Sequence, residues 1–122
     1  MKILVVDDSA TMRKMIVKTL AQEGWNDVVE AADGADALTK LMGVDLILTD
    51  SDMPVMDGFD FVKAVRGYPT MSATPIMMVA PATAQADVIE ALKSGVNEYL
   101  IKPFSAPDLL ERIRMLLEKS TH

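Results

Sequence analysis

The sequence predicts an α/β domain: a parallel β-sheet covered by helices on both faces. Short, β-branched-rich apolar runs alternate along the chain with segments whose apolar residues recur at helical spacing. No repeat, linker or low-complexity stretch interrupts this alternation. Five successive strand–helix units then require right-handed crossovers and a parallel sheet. At 122 residues, the chain is expected to form one domain, 1–122, and to bury roughly two thirds of its unfolded surface.

The first half of the chain supplies three strands and two helices. Strands are predicted at 2–6, at Val28-Val29 and at 45–49. The first helix is amphipathic and can end at Gly24; its apolar face carries Met12, Met15, Ile16 and Leu20. Asp33-Gly34 then begins a short helix, whose apolar residues are Ala37, Leu38 and Leu41.

The second half supplies two strands and three helices. After Asp57-Gly58 a helix places Phe59, Val62 and Val65 on one face. Pro69 and Pro75 bracket a loop before a strand at Ile76–Val79. A helix at 84–94 carries Val88, Ala91 and Leu92 and ends at Gly95, a favourable residue after a helix. A fifth strand at 98–101 stops at Lys102-Pro103, and a final helix at 106–118 aligns Leu109, Leu110, Ile113, Leu116 and Leu117.

Composition excludes several classes of function. The chain carries 12 basic and 18 acidic residues, a formal net charge of −6, which argues against a nucleic-acid surface. It has no cysteine, so thiolate metal sites, disulfides and cysteine nucleophiles are excluded. The first apolar run meets Asp7-Asp8 almost at once and is too short for a signal peptide or membrane anchor. We therefore expect a cytoplasmic protein without nucleic-acid or membrane partners.

Two apolar runs end in acids. One run meets Asp7-Asp8 and the other meets Asp50. In a parallel sheet these carboxyl ends share a crevice, where ligands bind if strand order reverses. Three carboxylates this close need compensation, and a hard cation such as Mg²⁺, together with a nearby ammonium, would supply it. Lys102 ends the fifth strand and could reach the crevice; proline permits a cis Lys102-Pro103 peptide that would aim it inward.

The acids also suggest a reaction. A carboxylate at a strand end beside a cation, such as Asp50, can attack a phosphoryl donor and form an acyl phosphate. Ordinary structural roles are the alternative: Asp7-Asp8 or Ser9 could cap the first helix, and Lys102 could be solvated. The joint placement of four charged groups at the ends of strands one, three and five favours function.

Taken together, these motifs resemble a response-regulator receiver domain over essentially the whole chain, in the form of the stand-alone chemotaxis receivers. The matching motifs are Asp7-Asp8, Asp50 in an Asp-x-x-Met-Pro run, Met56-Asp57-Gly58 and Lys102-Pro103-Phe104. The resemblance implies a flavodoxin-like (βα)5 doubly wound sheet with strand order 2-1-3-4-5. It also implies a two-component signalling protein that is no enzyme beyond its own self-catalysed phosphorylation and dephosphorylation.

The resemblance assigns roles to individual residues. Asp50 would be the phosphoacceptor, supplied by a histidine kinase or a small-molecule donor. Asp7, Asp8 and Asp50 would bind Mg²⁺, with the backbone carbonyl of Asp52 completing the metal shell. Lys102 would contact the phosphoryl group as its counter-charge.

The resemblance also assigns an output surface. Tyr99 lies at the position of the family's aromatic switch residue. Downstream proteins would dock on the face formed by helix 84–94, strand 98–101 and helix 106–118, which is also the family's dimerisation surface. The expected state is a monomer or weak dimer.

Two departures from the family pattern concern the switch. Ala80 stands where the family has Ser or Thr, and the spacing to Gly95 and Lys102 fits without a gap. Thr83 is too far along to substitute. The next residue, Pro81, has no backbone N–H to donate. A lost hydrogen bond to a charged group is worth about 1.5–3 kcal/mol, comparable to an allosteric coupling of about 1–3 kcal/mol. Phosphorylation is therefore expected to shift the conformation weakly.

Asp52 admits two interpretations: a solvated loop acid, or a charge at the mouth that favours the cation and disfavours the phosphoryl group. It also supports an alternative function, because Asp50-Ser51-Asp52 resembles the nucleophile pair of haloacid-dehalogenase-type phosphatases. Pro54 lies where a Thr or apolar residue would follow, the acid pair precedes the nucleophile, and a cap segment is absent. These features count against a phosphatase.

Two further alternatives remain. A calcium loop starting at Asp50-x-Asp52 lacks the third acid, and Phe61 stands where the bidentate Glu should be. A docking module that keeps the receiver fold without phosphorylation is supported by Ala80 and Pro81.

Overall fold

The sheet is five-stranded and parallel, in the order β2-β1-β3-β4-β5. The computed structural model describes residues 1–81 and 85–120, apart from the side chains of 85–88 and 120. The strands are β1 (Ile3–Val6), β2 (Val28–Ala31), β3 (Leu46–Asp50), β4 (Ile76–Pro81) and β5 (Glu98–Lys102). The helices are α1 (Ala10–Gln22), α2 (Gly34–Leu38), α3 (Gly58–Arg66), α4 (Gln85–Ser94) and α5 (Ala106–Ser120), with a 3₁₀ turn at Pro69–Met71.

The predicted fold class and strand order are both confirmed. β4 and β5 extend beyond the predicted strands, because Ala80 pairs with Ile101 and Pro81 with Lys102. Thr83 and the predicted first residue of helix 84–94 lie outside the described residues.

Two apolar layers enclose the sheet. Alternate residues of one strand face opposite sides, so Leu4 and Val6 join one core cluster while Ile3 and Val5 join the other. The first cluster includes residues of α2, α3 and α4, and the second includes residues of α1 and α5. This double coverage explains why the sequence shows continuous apolar strands rather than alternating ones.

Short polar side chains set the helix starts. Ser9, Asp33 and Asp57 each accept a hydrogen bond from the backbone N–H three residues later, at 3.2, 2.7 and 2.9 Å. The second helix, α2, ends at Leu38 and is shorter than predicted, since the prediction included Leu41. Thr39 donates its hydroxyl to the carbonyl of Asp36 at 2.6 Å and tightens the last turn there. Leu41 is nevertheless buried in the core.

Within residues 1–81 and 85–120, none of the helices combines the length and the apolar character needed to cross a bilayer.

Candidate metal and phosphoacceptor site

Three carboxylates meet at the carboxyl ends of β1 and β3. One oxygen from each of Asp7, Asp8 and Asp50 lies within 4.8 Å of the others. The register explains the meeting, since Val6 pairs with Thr49 and places the residues that follow side by side. Asp7 and Asp50 are buried, whereas Asp8 is exposed. The cluster therefore has two fixed acids and one acid at its open side.

Lys102 closes the inner side of the cluster. Its Nζ lies 3.3 Å from Oδ2 of Asp7 and 3.5 Å from Oδ1 of Asp50. The Lys102-Pro103 peptide bond is cis, as the sequence permitted. Three ionised carboxylates and one ammonium leave two negative charges, which a divalent cation would neutralise. The set of oxygen donors, with one acid open to solvent, fits Mg²⁺.

The electrostatics of Asp50 reflect this crowding. Burial, and then the charge of Asp7, raise the pKa of Asp50 above its ordinary value. Lys102 and the backbone N–H groups of Asp52 and Ser51 oppose that rise; the Ser51 N–H donates to Oδ1 of Asp50 at 2.8 Å. Burial and the neighbouring carboxylate therefore outweigh the ammonium and the two N–H groups in their effect on the pKa of Asp50.

The first helix is capped by a serine and not by the acid pair. Ser9 caps α1, so neither Asp7 nor Asp8 holds that position. Asp7 instead accepts a hydrogen bond from the Ser9 N–H at its Oδ1, 2.9 Å away, and turns Oδ2 toward Lys102. Lys102 is ion-paired and mostly buried, so it is not a solvated strand-end lysine.

The loop after Asp50 packs unusually close to it. Gly58, the first residue of α3, donates its N–H to the carbonyl of Ser51 at 2.9 Å. A Cβ at Gly58 would lie 2.0 Å from the carbonyl oxygen of Asp50. Val55 has a positive φ of 70°, and Met56 donates to the Pro54 carbonyl across it at 2.7 Å, forming a γ-turn. The loop thereby returns the chain directly against the acceptor strand.

Comparison with known proteins identifies this arrangement. Residues 3–114 match the response regulator receiver domain family. The chain belongs to that family. The receiver is 44% identical over 120 residues to chemotaxis protein CheY1 of Helicobacter pylori, covering 96% of this chain and 97% of the relative. It is 46% identical over 120 residues to the CheY homolog of Campylobacter jejuni, covering 96% and 92%.

Solved structures agree with the receiver assignment. Chemotaxis protein CheY4 of Vibrio cholerae superimposes with a TM-score of 0.89 at 40% identity, covering 94% of this chain and 97% of that one. A putative response regulator from Chloroflexus aurantiacus gives a TM-score of 0.91 at 31% identity, covering 96% and 97%. Proteins of this family generally act in signalling and are not enzymes.

The structure separates Asp52 from the acid cluster of this receiver. Asp52 is exposed, and its carboxylate does not join the group formed by Asp7, Asp8 and Asp50. This placement fits the solvated-acid interpretation, and with the family match the phosphatase alternative is not favoured. Phe61 is fully buried in the core, where it has no part in an ion-binding loop.

The predicted switch positions lie on β4 and β5. Ala80 is buried at 1% exposure, and it follows Val79, which pairs with Asp50 in the sheet; its side chain carries no hydroxyl. Pro81 is the last residue of β4. Tyr99 is partly buried, pairs with Met78 and packs against the first core cluster.

The sequence analysis missed one residue near the site, Arg13, which donates a hydrogen bond to the backbone carbonyl of Asp7. A cation at the fourth residue of a helix, within a first turn that carries no acid, is disfavoured by the helix dipole, and this was the available signal.

Proposed function

We propose that this receiver accepts a phosphoryl group on Asp50 in a reaction that requires Mg²⁺. The observation that carries the proposal is the meeting of Asp7, Asp8 and Asp50 within 4.8 Å, with Lys102 within 3.5 Å of two of them. In the reaction a carboxylate oxygen of Asp50 attacks the donor phosphorus, the bond to the donor's leaving group breaks, and an aspartyl phosphate forms.

Each residue contributes through position and charge. Asp7, Asp8, Asp50 and the backbone carbonyl of Asp52 would hold Mg²⁺, which neutralises developing charge on the phosphoryl oxygens when bound. Lys102, already 3.5 Å from Asp50, would pair with the transferred group. Asp50 must be ionised to act as a nucleophile, but its pKa is raised. The positive charges of Mg²⁺ and Lys102 would favour its ionised form.

The donor and the output follow from the family and the surface. We propose that a histidine kinase or a small acyl phosphate supplies the phosphoryl group, and that the receiver acts in chemotaxis, as its named relatives do. Exposed apolar side chains on α4, β5 and α5 support a downstream protein partner on that face; they are Ile89, Leu92, Ile101 and Met115. Self-catalysed dephosphorylation, a cytoplasmic location, a single domain and a monomer or weak dimer remain predictions.

The coupling from site to surface is proposed to be weak. Ala80 offers no hydroxyl and Pro81 no N–H to a phosphoryl group on Asp50. Phosphorylation would then change the conformational preference of the Tyr99 side chain only slightly. The partner surface would respond less than in a receiver that carries Ser or Thr at position 80.

Intact-protein mass spectrometry after incubation with acetyl phosphate tests the proposal. The wild type should gain one phosphoryl group with Mg²⁺ and none with a chelator, and Asp50→Asn should gain none. Asp52→Asn is the matched control and should retain the adduct. A wild type that stays unmodified with Mg²⁺ would refute the acceptor role and leave a phosphorylation-independent docking module.

A further inference from the structure

Arg13 on α1 binds the backbone that carries two of the site's acids. Its Nη1 donates to the carbonyl oxygen of Asp7 at 2.5 Å, and its Nε donates to Oε1 of Glu30 on β2 at 3.2 Å. Its side chain is only 18% exposed. The guanidinium therefore joins β2 to the peptide that links Asp7 and Asp8.

Both backbone polar groups of Asp7 are hydrogen-bonded. Its N–H donates to the carbonyl of Ala31 at 3.1 Å, and its carbonyl accepts from Arg13. Its carboxylate is positioned separately, by the Ser9 N–H at 2.9 Å and by Lys102 at 3.3 Å. Asp7 thus has its own side-chain restraints and does not depend on Arg13 alone.

Asp8 is in a different position. It is exposed, and its carboxylate makes no hydrogen bond or ion pair with any of the residues that the structure describes. The orientation of the preceding peptide bond constrains the backbone from which the Asp8 side chain projects. Arg13 holds the carbonyl of that peptide, so Arg13 is a side chain that restrains the position of Asp8.

We propose that Arg13 is a positioning residue for the metal site, which it serves by orienting the Asp7–Asp8 peptide, with Glu30 fixing and neutralising the guanidinium. This inference rests on the proposed Mg²⁺ site. Groups that orient metal ligands commonly contribute about 10–100-fold to metal affinity.

Charge and position predict opposite results for the loss of Arg13. Removing a positive charge near a cation site should tighten cation binding by Coulomb's law. Removing the group that orients Asp8 should weaken it. A weaker affinity in the variant therefore cannot arise from the change in charge.

The test is a titration of metal-free, unphosphorylated protein with MgCl₂, followed by the NMR shifts of the backbone amides of Asp8 and Asp50. Arg13→Ala should raise the Kd for Mg²⁺ about tenfold. Arg13→Lys, which keeps the charge and one donor group, should lie between wild type and Ala. Glu30→Gln leaves the Arg13 donor in place and should raise the Kd for Mg²⁺ less than Arg13→Ala does. The increase in Kd caused by Glu30→Gln should shrink at high salt.

Arg114→Ala is the matched control. Arg114 also pairs with a carboxylate, Glu23, but at the opposite end of α1, and its loss should leave the Kd unchanged. Mg²⁺ binding as tight as or tighter than wild type in both Arg13 variants would overturn the positioning role. A wild type that binds no Mg²⁺ would overturn the proposed metal site itself, and the role of Arg13 with it.

Discussion

Adding one methyl group at Gly58 should displace the phosphoacceptor strand. The Cβ of Gly58→Ala would lie 2.0 Å from the carbonyl oxygen of Asp50 and 2.8 Å from Cα of Ser51. Ordinary contact begins near 3.4 Å, so the carbonyl and the methyl group must separate by about 1.4 Å. Both neighbours are backbone atoms, and no side-chain rotation can relieve the overlap.

The magnitude follows from two losses. Overpacking in a closely packed region costs about 1–3 kcal/mol, and separation of α3 from β3 also breaks the 2.9 Å hydrogen bond from the Gly58 N–H to Ser51, worth about 1 kcal/mol. We expect Gly58→Ala to lower the free energy of unfolding by about 2–4 kcal/mol. For 122 residues this corresponds to a fall in Tm of roughly 8–16 °C.

Urea and thermal denaturation monitored by circular dichroism measure this loss. Gly67→Ala is the matched control, because Gly67 ends the same helix with a φ of −74° and its nearest neighbour to a new Cβ lies at 3.3 Å. It should stay within about 1 kcal/mol of wild type. A Gly58→Ala protein as stable as wild type, or a Gly67→Ala protein that loses as much, would refute the reasoning.

Three further predictions follow from the same contacts. Burial and Asp7 raise the pKa of Asp50, so native Asp50 holds its proton at a higher pH than the unfolded chain does, and its contribution to stability falls as pH rises through the raised pKa. In chelator, Asp50→Asn should therefore be more stable than wild type at neutral pH, with the gain fading as pH falls through the raised pKa and absent below the ordinary value of 3.8; parallel pH profiles in urea denaturation would contradict this. Ala80→Thr should restore the missing hydroxyl and enlarge the phosphorylation-dependent NMR shift changes at Tyr99, whereas identical changes in both proteins would argue against a weakened switch. Arg66 makes six hydrogen bonds, five to backbone carbonyls and one to the Asn97 side chain, so Arg66→Ala should cost about 2–4 kcal/mol in urea denaturation. The exposed-pair control Arg114→Ala should cost under about 1 kcal/mol, and equal losses in the two variants would contradict the structural role of Arg66.

Local signals in the sequence predicted the fold and the acid cluster. Asp7-Asp8 and Asp50 follow apolar runs directly, and parallel pairing necessarily brings such strand ends to one edge of the sheet. Asp33 and Asp57 signalled helix starts because a side-chain cap acts within three residues. Lys102 was predictable for the same reason as the acids, since it ends a strand.

Contacts between distant segments were not predictable from these signals. The bond from Arg13 to the Asp7 carbonyl depends on the exit angle of α1 from β1, and its pairing with Glu30 depends on a neighbouring strand. The Asp57-Gly58 motif was recognised as a helix start, but the 2.0 Å approach to Asp50 depends on the γ-turn at Val55. The end of α2 before Leu41 was missed because Thr39 competes locally for the helix carbonyls.

The chemical identity of the phosphorylated residue tests the central claim most directly. Borohydride reduces an aspartyl phosphate to homoserine and leaves a serine phosphate intact, so peptide mass spectrometry after phosphorylation and reduction distinguishes neighbouring acceptors. We expect homoserine at position 50 alone, formed with Mg²⁺ and absent in chelator. Homoserine at position 52, a phosphate on Ser51, or modification independent of Mg²⁺ would contradict it.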